Sequence, residues 1–389
     1  MTRQTEMSSF DFDTVIDRSG TGSIKWSEVP GDALAMGLAD MDFRTAPAVI
    51  GALQERGEHG IFGYTQAGPD LTDTACRWLA QRRGWDADAA WIVPTPGVMP
   101  TIAHVLQAWL DPGASVIVQT PAFGPIPAVV HDNGFRVEQN PLRLAGGRYV
   151  MDLVAFEAVA RRRDVGAFVL CSPHNPSGRV WSRRDLESVA AICEANEVFV
   201  ISDEVHADMV FPWASFTTYA LAAATGRYAI VFGPSKAFNL AGLRNALAVV
   251  PDAELRGALA TELHRVNEDF GIGIMASAAI TAAYGAGGGW LDALTEYVAG
   301  NLDALIAGLA HLDSVRVIRP DASFLVWVDV SAVGRPDAEV TALLAGSRVI
   351  VEPGTSFGPA GAGFIRVNVG TARSRVEEAA ARIASALGA

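Results

Sequence analysis

Lys236 is the residue of this sequence whose type could do the most distinctive chemistry. It lies in GPSKAFNLAGLR (233–244), and the chain has 30 lysine and arginine residues, of which only Lys25 and Lys236 are lysines. Both types carry a positive charge, but only a lysine can lose its proton in a protein and attack a carbonyl carbon. The bias toward arginine therefore predicts that position 236 needs an amine. Chance is the alternative, and we assign Lys25, beside Trp26, to chance.

Three further candidates share with Lys236 a position just after a β-rich stretch. Phe123 follows SVIVQT, Asn175 follows GAFVLC, Asp203 follows VFVIS and Lys236 follows YAIVFG. Ligands of open α/β sheets bind beyond the carboxyl ends of the strands. The sequence therefore predicts that these four residues meet at one edge of a sheet.

Each of these positions also has an ordinary structural explanation. Asp203 could be a solvated strand end, whereas a carboxylate beside an aromatic nitrogen would keep that nitrogen protonated. Asn175 could serve turn chemistry. Gly97 and Val98 open a helix in TPGVMPTIAHVLQAWL, where free backbone N–H groups suit a phosphate, although a glycine before a helix is more often just a turn.

Arg366 is a candidate for binding a carboxylate. In the strand FIRVNV (364–369) the alternation places Arg366 and Asn368 on one face and the aliphatic residues on the other. The aliphatic face should be buried. The arginine is then either solvated or a guanidinium fork for a carboxylate.

The order of elements predicts an α/β fold with two domains. Strands that are apolar on both faces alternate with helices such as DLESVAAICEAN (185–196), which indicates a doubly covered, mostly parallel sheet. After about residue 285 the strands and helices are typical of a smaller α+β domain. We expect residues 1–45 to pack with that small domain, 46–284 to form the large domain and 285–389 the small one.

Composition excludes several classes of protein. The net charge of −13 argues against binding to nucleic acids or anionic membranes. No apolar run is long enough to span a membrane, and the first 30 residues show no signal peptide. Three scattered cysteines are too few for a disulfide scaffold or a metal cluster. We expect a cytoplasmic enzyme.

Taken together, these motifs resemble the fold-type I pyridoxal-phosphate (PLP) enzymes, the aminotransferase class I/II superfamily. Ser235-Lys236 followed by Gly242-Leu243-Arg244 is similar to the Schiff-base signature of that superfamily. Within it, the chain resembles the cystathionine β-lyase-like C–S lyases from about residue 24 to the C-terminus. The stretches that carry this narrower likeness are ADMDF, HGIFGYT, PHNPSGRVW, SDEVH, PSKAFNLAGL and GGWLDAL. The resemblance implies a seven-stranded, mostly parallel large sheet.

The resemblance also implies roles around the cofactor ring. Lys236 would hold PLP as a Schiff base and then act as general base at the substrate Cα. Asp203 would pair with the pyridine nitrogen, and Asn175 would donate to the ring oxygen O3′, with His206 nearby. Phe123 would stack on the ring.

A second set of roles concerns the phosphate. Gly97, Val98, Ser235 and Arg244 would bind it, and Tyr64 of the partner subunit would reach it. The resemblance therefore implies a homodimer with composite active sites.

The leading hypothesis for function is α,β-elimination from an S-substituted L-cysteine, with Arg366 holding the α-carboxylate. Cystathionine and a cysteine S-conjugate of specialised metabolism are both candidate substrates. An aminotransferase is the first alternative, and decarboxylation or oxidative deamination on the same scaffold is another. The lyases commonly have a tyrosine where this chain has Phe123, which leaves the substrate open. A PLP-binding regulator would need a DNA-binding or partner module, and we find no basic helix-turn-helix segment.

Overall fold

A computed structural model describes residues 10–27, 29–268 and 270–388. The strands are β1 (Leu34–Met36), β2 (Ile92–Thr95), β3 (Ser115–Thr120), β4 (Arg136–Pro141), β5 (Arg143–Ala145), β6 (Arg148–Val150), β7 (Val165–Cys171), β8 (Phe199–Asp203), β9 (Tyr228–Phe232), β10 (Ala246–Val249), β11 (Arg316–Ile318), β12 (Leu325–Asp329), β13 (Val349–Pro353) and β14 (Phe364–Asn368). The helices are α1 (Ile24–Ser27), α2 (Pro47–His59), α3 (Pro69–Arg83), α4 (Val98–Trp109), α5 (Pro125–Asp132), α6 (Leu153–Ala160), α7 (Arg183–Ala195), α8 (Ala253–Arg265), α9 (Ile274–Ala286), α10 (Gly288–Leu309), α11 (Asp337–Gly346) and α12 (Arg373–Leu387).

The larger sheet has seven strands in the order β2-β10-β9-β8-β7-β3-β4. Neighbours from β9 to β4 run parallel, and β10 runs antiparallel to both β9 and β2. Every residue of β3 and of β9 is buried, as expected for strands covered by helices on both faces. The prediction of a doubly covered, mostly parallel sheet of seven strands is confirmed.

The smaller sheet has the order β1-β13-β14-β12-β11. Strand β1 comes from the N-terminal segment and pairs in parallel with β13, so this segment contributes a strand to the C-terminal sheet. The other pairs are antiparallel. The domain limits stay a prediction, and the one expected at residue 284 falls inside α9.

Helix α7 illustrates how the sequence encodes its elements. The hydroxyl of Ser182 accepts a hydrogen bond from the Asp185 N–H, and the Asp185 carboxylate accepts one from the Ser182 N–H. This capping box satisfies backbone donors that the first turn leaves free. The buried side chains Leu186, Val189 and Cys193 lie at helical spacing and pack α7 on the sheet.

Candidate active site

The carboxyl ends of β3, β7, β8 and β9 surround a cavity of about 270 Å³. We call it the cofactor chamber. Among the residues that line it are the following predicted site residues: Gly97, Val98, Phe123, Asn175, Asp203, His206, Ser235, Lys236 and Arg244. The structure therefore brings together residues that are up to about 150 positions apart, because parallel strands end at the same edge of the sheet.

Lys236 projects its amine between the sheet edge and the N-terminal segment. Its Nζ donates a hydrogen bond of 2.9 Å to the carbonyl of Ala39. Burial lowers the pKa of this amine, and the nearby Arg366 guanidinium lowers it further, while Asp203 acts in the opposite direction. A lowered pKa increases the fraction of free amine, which is the nucleophilic and basic form.

Asp203 ends β8 with a side chain that is almost inaccessible to solvent. One carboxylate oxygen accepts a hydrogen bond of 3.2 Å from the Val205 N–H. Burial raises the pKa of Asp203 to about 6, and neither that hydrogen bond nor the charge of Lys236 cancels the effect. Such a carboxylate would be stabilised by a cationic group placed in the chamber.

Arg366 lies in β14 and is only 2% exposed, so the alternative of a solvated arginine is wrong. Its Nη1 donates to the side-chain oxygen of Asn175 at 3.2 Å, and its Nη2 donates to the carbonyl of Gly37 at 3.1 Å. The guanidinium lies 4.8 Å from the ring centre of Phe357. Burial lowers the pKa of Arg366 to about 10. Because the Asn175 oxygen faces Arg366, the amide hydrogens of Asn175 are left for an acceptor in the chamber.

His206 contacts Ser323, a residue that no sequence motif singles out. Its Nδ1 lies 3.1 Å from the hydroxyl of Ser323, in the loop before β12. Burial and the charges of Lys236 and Arg366 lower the pKa of His206 to about 3. The imidazole is therefore neutral. When the Ser323 hydroxyl donates to Nδ1, the ring carries its hydrogen on Nε2.

One end of the chamber has the features of an anion site. Gly97 has a φ of 142° and precedes α4, and the first turn of that helix, where backbone N–H groups lack helical partners, lines the chamber. Ser235 is buried beside Lys236. Arg244, with a φ of 48°, is exposed at the rim. This grouping suits a phosphate.

A second cavity of about 780 Å³ adjoins the first, and we call it the substrate chamber. Lys236 and Phe123 line both cavities, and Arg366 lines the second. Sequence reasoning gave no role to three further charged residues in its wall: Asp40, which lies in the ADMDF stretch, and the pair Arg18 and Glu352. Neither stands beside a motif that would have singled it out.

The segment 37–43 (GLADMDF) forms a wall of the substrate chamber. The Asn239 side chain bonds to the backbone of Met41, and the Asn368 side chain donates to the carbonyls of Leu38 and Asp40. These hydrogen bonds hold the segment in place, and with it the Ala39 carbonyl that accepts a hydrogen bond from the Lys236 amine.

Lys25 is a correction to the sequence interpretation. Its buried Nζ lies 3.0 Å from the Asp42 carboxylate and 3.2 Å from the Asp40 carbonyl. Lys25 thus anchors the segment 37–43, and chance does not explain it.

Tyr64 lies apart from the cofactor chamber. Its side chain is 93% exposed and stacks on Phe270, with ring centres 5.1 Å apart. Ile61 and Phe62 nearby are also largely exposed. Contiguous exposed apolar residues are typical of an interface.

A buried ion network includes Glu204, the residue that follows Asp203 in the chain. Arg83 contacts the Glu204 carboxylate at 2.8 Å and the Asp208 carboxylate at 2.9 Å. Glu204 also accepts hydrogen bonds from the Thr218 hydroxyl and the Tyr219 N–H. The guanidinium thereby compensates the charge of the carboxylate next to Asp203 in sequence.

The described residues contain no helix of the length and apolarity that crossing a membrane requires.

Comparisons with known proteins agree on the type of protein. Residues 32–383 match the family described as aminotransferase class I and II. The chain is 39% identical over 388 residues to cystathionine beta-lyase PatB of Bacillus subtilis, covering 97% of this chain and 100% of the relative.

Solved structures show the same fold. Cystalysin from Treponema denticola, which contains a pyridoxal 5′-phosphate cofactor, superimposes with a TM-score of 0.93 at 25% identity and covers 97% of this chain and 99% of its own. The PLP-bound C–S lyase from Staphylococcus hominis gives 0.91 at 28% identity, with coverage of 97% and 98%.

Proposed function

This chain belongs to the aminotransferase class I and II family, and from that premise we propose that it is a PLP-dependent C–S lyase. The observation that carries the proposal is the meeting of Lys236, Asp203 and Asn175 in one chamber that opens onto Arg366. The substrate is an S-substituted L-cysteine. Elimination removes the Cα proton and breaks the Cβ–S bond, and with one water it yields a thiol, pyruvate and ammonium.

The residues present fit PLP. The lysine amine can form the Schiff base, the buried Asp203 carboxylate suits a protonated pyridine nitrogen, and the Asn175 amide can donate to the ring oxygen. Gly97, Val98, Ser235 and Arg244 offer donors for the phosphate, and His206 adds a neutral imidazole near Asn175. When bound, PLP supplies an electron sink for the charge left at Cα.

The protein itself orients the substrate and moves the proton. Arg366 offers a buried, prearranged fork for the α-carboxylate, which holds Cα near the Lys236 amine. The lowered pKa of that amine makes it able to accept the Cα proton. Phe123 borders both chambers and supplies an apolar face without a hydroxyl, so the leaving thiolate takes its proton from elsewhere.

The homodimer and the compartment are part of the proposal. Exposed Tyr64, Phe62 and Phe270 support an interface through which Tyr64 of the partner subunit reaches the phosphate. Mixing inactive Tyr64→Ala and Lys236→Ala subunits tests this arrangement. Partial recovery of activity is expected, because one site of each mixed dimer would combine an intact Lys236 with an intact Tyr64 of the partner subunit. Absence of recovery would indicate that each site is built from a single chain. Free cysteines support a cytoplasmic location.

Product analysis tests the reaction. Purified protein with PLP should release thiol and pyruvate from S-propyl-L-cysteine. A keto acid that forms only when an amino acceptor is present would identify an aminotransferase instead. No product from any amino acid would favour a regulator.

Borohydride reduction followed by peptide mapping tests the assignment of the lysine. The pyridoxyl label should map to Lys236, and Lys236→Ala should lose both the label and nearly all turnover. A label at Lys25 would refute the assignment.

A further inference from the structure

Glu352 faces Arg366 across the antiparallel pair β13–β14. The two residues are directly opposite in the strand register, so their side chains share one face of the sheet. The Glu352 carboxylate lies 3.9 Å from Nη2 of Arg366, at the limit of an ion pair, and its side chain is 30% exposed in the substrate chamber. It is thus an available anion next to the predicted carboxylate site.

The other acid in this wall already has a partner. Asp40 receives both terminal nitrogens of Arg18, at 3.1 and 3.2 Å. In the part of the chain that the structure describes, Arg366 is the basic side chain within 4 Å of the Glu352 carboxylate. A substrate α-carboxylate bound to Arg366 therefore takes the counter-ion that Glu352 has among the described residues.

Substrate binding then leaves two carboxylates close together around one guanidinium. Their repulsion weakens the binding of any cysteine conjugate that brings no further charge. A cation on the group attached to sulfur would remove this repulsion, and an anion there would add to it. Specificity of this kind depends on a repulsive element as much as on an attractive one.

We propose that Glu352 is a specificity-determining residue that selects S-substituted cysteines whose sulfur carries an ammonium-bearing group. The inference rests on the proposed function, since it specifies the group on the substrate sulfur. Arg18 pairs with Asp40 on the same chamber wall and also contacts Asp42, whose charge the buried Lys25 balances. Glu352 therefore sets the sign of the preference.

Three probes of similar length measure the preference. They are S-(2-aminoethyl)-, S-propyl- and S-(2-carboxyethyl)-L-cysteine, which carry a cationic, a neutral and an anionic group. In the unmodified enzyme, kcat/KM should be at least about tenfold higher for the aminoethyl than for the propyl compound, and lowest for the carboxyethyl compound.

Glu352→Gln should remove the preference for the aminoethyl compound over the propyl compound. The aminoethyl compound should become a poorer substrate, and the propyl compound a better one, because the repulsion has gone. If Glu352 only holds Arg366 in place, the substitution will weaken all three substrates alike, and that result would overturn the proposal. Glu187→Gln, which removes an exposed acid that pairs with Arg183 on α7, is the matched control and should leave the ratios unchanged.

Binding separates this inference from the proposed reaction. Calorimetry with PLP-loaded Lys236→Ala protein gives dissociation constants without turnover. The order aminoethyl, propyl, carboxyethyl from tightest to weakest supports the role of Glu352 even if pyruvate never forms, in which case only the lyase reaction is refuted. Equal affinities, with or without turnover, would refute the role of Glu352.

Discussion

Replacing Asp203 with asparagine should stabilise the cofactor-free protein while it destroys function. Asparagine has the same shape, and its side-chain oxygen can still accept the hydrogen bond from the Val205 N–H. What disappears is a carboxylate charge that the surrounding protein stabilises poorly. Without PLP this charge is a cost to folding, and with PLP the same charge is needed at the pyridine nitrogen.

The magnitude follows from the pKa of Asp203, which burial raises from 3.8 to about 6. Because the folded-state pKa lies above the unfolded value, the folded protein binds this proton more tightly. The cost is therefore absent below about pH 4, grows as the pH rises from about 4 to about 6, and is constant above that. It amounts to about 2 kcal/mol at pH 5 and about 3 kcal/mol at pH 8.

Urea denaturation of cofactor-free protein at pH 5 and pH 8 measures this difference. The Asp203→Asn protein should be more stable than the unmodified protein, and its advantage should grow by about 1 kcal/mol between the two pH values. An advantage that is equal at both pH values, or a less stable variant at pH 8, would refute the reasoning. Glu187→Gln removes an exposed acid and should give no such change with pH.

Three further outcomes are expected. Arg83→Met should destabilise the protein by about 3–5 kcal/mol in urea denaturation, because two buried carboxylates lose their counter-ion. Arg82→Met removes a partly exposed ion pair and should cost less than about 1 kcal/mol; similar losses for the two variants would contradict the buried network. Ser323→Ala and Ser323→Gly both remove the hydroxyl that contacts His206, so both should shift the absorbance-against-pH curve of bound PLP by the same amount. Glycine suits the φ of 78° at this position better than alanine, so the two variants should differ in stability. If the shift of the curve differs between the two variants as their stability does, the role of the serine is structural. Arg366→Ala should raise KM for cysteine conjugates at least about tenfold while the affinity for PLP changes little. An equally large loss of affinity for PLP would contradict the assignment of Arg366 to the substrate carboxylate.

The candidate site divides into residues that local sequence could identify and residues that it could not. Asn175, Asp203 and Lys236 lie at or just beyond the carboxyl ends of apolar strands, and parallel strands place these ends together, so local patterns sufficed to group the three residues. Ser323 reaches His206 across 117 positions of the chain. No pattern within a single element encodes such a contact.

The doubly covered parallel sheet, the cap of helix α7 and the lysine at the sheet edge could all be predicted from local patterns, because periodicity and residue chemistry act over a few neighbouring residues. Local patterns did not predict three features that the folded chain shows: Arg366 is buried, Lys25 anchors the segment 37–43, and Glu352 faces the carboxylate site. Burial and charge pairing depend on which distant strands become neighbours. The register of β13 against β14 sets that neighbourhood for Glu352, and the packing of the whole chain fixes the register.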